Sequence, residues 1–75
     1  MEQYLDSNSD SGVAAYDVGA DFIHVKFKDG WIYEYTSSSV GIDNLNIMKS
    51  LAQSGDGLNS FINKKVKKKY TRKWR

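Results

Sequence analysis

The chain contains no cysteine, no proline and a single histidine, and no apolar stretch approaches the roughly 20 residues of a membrane span. Each absence excludes something. Without cysteine there is no disulfide framework and no thiolate zinc site, so packing must hold the fold together. Without proline, the turns fall to glycine, asparagine and aspartate. With one histidine, His24, a nucleophile and a base have little to pair with, and catalysis is not expected. No positively charged segment followed by an apolar run opens the chain, which points to a cytoplasmic protein. Acidic residues are missing from one region altogether. The last twelve residues carry eight cations and no acid, whereas nine acids against three lysines leave residues 1 to 63 at −6.

What the chain has in quantity is aromatic residues, 13% of 75. A chain of this size buries only about 60% of the surface its unfolded form exposes, so it forms one small core. Phe22 to Tyr35 is the best-defined stretch. Ile23, Val25 and Phe27 alternate with His24, Lys26 and Lys28 ahead of Asp29-Gly30, the pattern of a half-buried strand entering a hairpin. A two-residue Asp-Gly loop would set Glu34 in the apolar face. A three-residue Lys28-Asp29-Gly30 loop with Gly30 left-handed instead places Phe27 opposite Trp31, Val25 opposite Tyr33 and Ile23 opposite Tyr35. That register is preferred, and it predicts a buried Trp31.

Residues 1 to 12 are polar and read as a flexible tail, with a single domain over 13 to 75. Asp6, Asn8, Asp10, Gly12 and Asp17 approximate a calcium-loop spacing, but Ser11 stands where the sharp-turn glycine belongs and Asp17 replaces the bidentate glutamate. No metal or cofactor is expected. Val13 to Asp17 reads as a strand pairing with the hairpin to complete a meander. Ser37 to Ser39 offer capping hydroxyls to a helix over about 40 to 53, whose apolar arc is Leu45, Ile47, Met48, Leu51 and Ala52. Gly55 and Gly57 end it. A second helix begins near Leu58, with Phe61, Ile62, Val66 and Tyr70 inward and Lys64, Lys67, Lys68, Arg72 and Arg75 outward. The expected fold is α+β, a three-stranded antiparallel β-meander followed by two α-helices packed on one face.

The order Tyr16-Asp17, Ile23-x-Val25-x-Phe27-x-x-Gly30-x-x-Tyr33-x-Tyr35, a helix, then Asn63-x-x-Val66-x-x-x-Tyr70 resembles the KTSC domain. Members of that family are small domains of bacterial and phage proteins, also found at the C-terminus of some lysyl-tRNA synthetases. This chain departs from the pattern where Ser38-Ser39 replaces the usual Val-Pro. The resemblance implies the fold and, through the synthetases, hints at RNA.

The cationic end, Lys64, Lys65, Lys67, Lys68, Lys69, Arg72, Lys73 and Arg75 interleaved with Tyr70 and Trp74, suits nucleic acid. Cations neutralise phosphates and release counterions, and exposed aromatics stack on unpaired bases. The expected function is a non-enzymatic binding module contacting RNA or single strands. The same charge also fits an acidic protein partner, as in a phage-encoded adaptor directed at a host protein, an anionic membrane surface, or the acidic body of the chain itself.

Overall fold

The computed structural model describes residues 1–6 and 12–75. It is an α+β domain in which five antiparallel strands form one sheet in chain order: β1 (Glu2–Gln3), β2 (Val13–Val18), β3 (Phe22–Phe27), β4 (Ile32–Thr36) and β5 (Arg72–Trp74). Between β4 and β5 come α1 (Ser37–Val40), α2 (Ile42–Ser54) and α3 (Leu58–Phe61), the last widening into a π-helical turn over Ile62–Val66. Among the described residues no helix is long and apolar enough to cross a membrane.

The hairpin has the three-residue loop. Ile23 pairs with Tyr35 and Val25 with Tyr33, and the Phe27 N–H donates to the Trp31 carbonyl at 2.8 Å. Gly30 sits at φ +96°, a conformation that side-chain-bearing residues seldom adopt. Asp29 secures the turn by accepting the Trp31 N–H on Oδ1 at 3.0 Å. Period-2 alternation then sends Ile23, Val25 and Tyr35 into the core and His24, Lys26 and Glu34 to the opposite face.

The helices cover the apolar face, with Leu45, Met48 and Ala52 of α2 and Leu58, Ile62 and Val66 of the last helical segment buried against the sheet. Leu58, Ile62 and Val66 lie four apart, and the wider π turn offsets the drift that such steps accumulate on a regular α-helix. Ile47 does not join them. It lies two positions from Leu45, about 200° round the helix, and is 44% exposed, so the inward arc is narrower than its apolar residues suggest. The helix expected over 40 to 53 starts earlier and breaks once. Ser37 to Val40 forms its own turn, in which Ser39 Oγ accepts the Thr36 N–H at 2.9 Å, and Gly41 at φ +89° separates it from α2.

Both edges of the expected three-stranded meander are extended. At the N-terminus, Glu2 and Gln3 pair with Tyr16 and Ala15, and Tyr4 is buried with its hydroxyl accepting the Leu58 N–H at 3.3 Å. A flexible tail over residues 1 to 12 therefore does not describe residues 2 to 4, and residues 7 to 11 lie outside the described part. At the C-terminus, the basic helix stops at Val66. Lys69 N–H closes a turn on the Val66 carbonyl at 2.9 Å, Thr71 N–H donates to the Glu34 carbonyl at 2.7 Å, and Arg72 to Trp74 pair along β4. The physical reason is the open edge of β4, whose backbone donors and acceptors gain partners when the chain returns as a strand.

Candidate nucleic-acid interface

The return of β5 divides the cationic block. Lys64, Lys65, Lys67, Lys68 and Lys69 occupy the π turn and the loop after it, all exposed. Among the described residues none of these five meets a carboxylate within 4 Å. Arg72, Lys73 and Arg75 are exposed as well but are engaged with the body. Arg72 Nε lies 3.3 Å from Glu34 Oε1 and its guanidinium 4.9 Å from the Trp74 ring centre. Lys73 Nζ stands over Trp31 at 5.3 Å and over Tyr70 and Tyr33 at 5.7 and 5.8 Å. Arg75 donates to the Asp29 carbonyl at 2.9 Å and covers the Trp31 ring at 5.2 Å. Trp31 is consequently half-buried under two cations and is not part of the buried core. Its predicted burial misses this, because the strand pattern assigns a face without saying how far the core extends towards the hairpin tip.

The two aromatics of the block are also engaged. Tyr70 packs edge-to-face on Tyr33 at 5.0 Å, and Tyr33 in turn on Phe27 at 5.3 Å. Trp74 lies on the other side of the sheet, edge-on to His24 at 5.1 Å, and His24 stacks on Phe22 at 4.5 Å. There His24 Nε2 is 2.8 Å from Glu34 Oε2. The His24 hydrogen bond first, and the Arg72 guanidinium after it, hold the Glu34 carboxyl below its ordinary value against the opposing effect of burial. Tyr70 and Trp74 are thus held against the sheet by ring contacts, and neither projects freely into solvent.

Between the hairpin tip and the last helical segment lies a groove of about 540 Å³. Phe27, Tyr33 and Tyr70 line it, with Asn59 and Asn63 from the last helical segment and Lys67 and Lys68 from the loop after it. The hairpin loop contributes Asp29 and Lys28, the latter 3.2 Å from Asp6. Tyr35 closes the base, and burial, reinforced by Tyr33 and Tyr70, pushes its phenol above the ordinary value, so it stays protonated. Sequence reasoning did not single out Asn59 and Asn63 as site residues. Their spacing of four, continued by Lys67, marks one polar helical row leading to the lysines. No His, Cys, Asp and Glu grouping suited to a metal occurs among the described residues, where Asp6, Gly12 and Asp17 of the calcium-like spacing lie; Asn8 and Asp10 fall outside them.

Compared with known protein families, curated proteins and solved structures, the chain matches none.

Proposed function

We propose that this domain is a non-enzymatic module that binds nucleic acid, holding single strands against the lysines between positions 64 and 69. The observation that carries the reading is the cluster of five exposed lysines in six residues, without carboxylate partners among the described residues, beside an aromatic groove. Unpaired ammonium groups neutralise phosphates without first breaking an internal ion pair, so the gain from counterion release is not offset. Arg72 and Arg75 would have to leave Glu34 and Asp29, and they contribute less. The KTSC resemblance supports the same direction through its lysyl-tRNA synthetase members, and a cytoplasmic setting suits a cysteine-free chain.

The test is the salt dependence of binding to a single-stranded RNA. Five phosphate contacts predict a slope of log K on log salt of about −3.5, equivalent to roughly a hundredfold loss between about 50 and 200 mM. Absence of binding to single-stranded RNA, DNA and tRNA at tens of micromolar protein and about 50 mM salt rejects the reading. A partner recovered from nuclease-treated lysate would then favour an acidic protein in its place.

A further inference from the structure

We infer that the groove between the hairpin tip and the last helical segment is a base-binding subsite, taking one unstacked base of the strand whose phosphates lie on Lys67 and Lys68. The inference rests on the nucleic-acid reading and adds where a base goes. Its shape and chemistry support it. At about 540 Å³ the groove falls within the roughly 300 to 1,000 Å³ of pockets that hold small ligands. Its walls are the Phe27, Tyr33 and Tyr70 rings, which offer apolar contact to a planar base, and the Asn59 and Asn63 amides carry both donors and acceptors for base edges.

Charge sets the orientation. On the hairpin side Lys28 is paired with Asp6, Asp29 adds a negative charge, and Lys73 and Arg75 are held over the Trp31 ring, whereas Lys67 and Lys68 meet no carboxylate among the described residues. A nucleotide therefore enters with its phosphate towards the lysines and its base towards the hairpin. The opposite face of the sheet also displays rings, from Phe22, His24 and Trp74, but its charges are already matched by the His24, Glu34 and Arg72 contacts. A strand would meet the Glu34 carboxylate there.

The experiment compares binding of a single-stranded 12-mer with binding of an abasic strand of equal phosphate number, for the wild type and for Asn63→Trp. Asn63 is exposed at the groove, so an indole there fills the space and leaves every lysine in place. The wild type is expected to prefer the base-bearing strand by roughly tenfold, within the range of one base stacked on aromatic side chains. Asn63→Trp is expected to remove that preference without altering the salt slope. Equal binding of both wild-type complexes overturns the subsite while leaving phosphate binding intact, and a preference that survives in Asn63→Trp with the Phe27, Tyr33 and Tyr70 ring resonances unmoved by the base-bearing strand places the bases elsewhere and overturns it too. Binding of neither strand at about 50 mM salt rejects the nucleic-acid reading and the subsite with it. Should Asn63→Trp fail to fold, the wild-type Phe27, Tyr33 and Tyr70 ring resonances decide: shifts with the base-bearing strand but not the abasic one support the subsite, and unchanged resonances overturn it.

Discussion

The two halves of the cationic end, five lysines over residues 64 to 69 and then Arg72, Lys73 and Arg75, carry charge of one sign and stand in opposite situations. The five lysines between 64 and 69 are exposed on the π turn and the loop after it, with Ile62 and Val66 of that turn buried. Arg72, Lys73 and Arg75 lie on and beside a strand and are held by Glu34, four aromatic rings and the Asp29 carbonyl. Charge density alone therefore does not locate a binding surface. What separates the halves is whether the fold has already supplied partners, since a cation gains from a phosphate only what it has not gained from its own chain. Two expectations follow: removing the second half should cost stability, and removing the first should cost binding.

The largest effect should come from deleting residues 71 to 75. That exposes the β4 edge and removes Trp74 from His24 and both cations from Trp31. A loss of about 3 kcal/mol is expected, enough to unfold much of a domain this size, measured by urea denaturation. Full retention of stability would show that β5 is an accessory. Next is the first half. Replacing Lys64, Lys65, Lys68 and Lys69 with glutamine should flatten the salt slope to about −0.7 and weaken single-strand binding at low salt by roughly a hundredfold, with stability changed by no more than about 0.5 kcal/mol. An equal effect from Arg72→Gln with Arg75→Gln would erase the distinction between the halves.

The contrast was only half legible in the sequence. The hairpin register could be read because a single carboxylate, Glu34, rules out the competing loop, and α2 could be read because Leu45, Met48 and Ala52 repeat at helical spacing. β5 could not. Val66 and Tyr70 continue the spacing of three and four, so the local pattern favours helix, whereas the strand depends on a distant open edge and on Tyr70 reaching Tyr33. β1 failed for a related reason: two polar residues carry no periodicity, and their pairing is secured by Tyr4, buried beneath α3 with its hydroxyl on the Leu58 N–H. The lysines of the site were all visible as residues. Which cations of the block the body would hold was not, because Glu34 and Asp29 meet Arg72 and Arg75 across 38 and 46 positions of chain.

A smaller effect is expected at Trp31, which links the hairpin tip to the second half. Full burial of its ring would predict a cost of 3 kcal/mol or more for Trp31→Ala, near the usual range for emptying an aromatic core site. The half-buried ring lying under Lys73 and Arg75 predicts about 2 kcal/mol, combining partial apolar burial with cation contacts of roughly 0.5 to 1 kcal/mol each. Lys73→Gln and Arg75→Gln together should then cost less in the Trp31→Ala background than in the wild type, the remainder coming from the Tyr33 and Tyr70 rings and the Asp29 carbonyl. Additive losses in that double-mutant cycle would show that the cations do not act through the ring.

The smallest effect concerns Glu34, the carboxylate that ties Arg72 and His24 to the sheet. Its pKa in the folded protein is lowered from 4.5, chiefly by the His24 hydrogen bond and then by Arg72. A depressed carboxylate stabilises the fold above its unfolded pKa, and that contribution is lost as the pH falls through the lowered folded value. Glu34→Gln should therefore cost about 1 kcal/mol near neutral pH, a modest figure because the contacts are partly open to solvent. The difference from wild type should narrow as the pH is lowered below 4.5 and close once the folded carboxyl is protonated. Urea denaturation of both proteins at about pH 7 and about pH 3 measures the two gaps. A gap of the same size at both would mean that the Glu34 charge does not hold β5, and the assignment of Arg72 to the body rather than to a ligand would lose its main support.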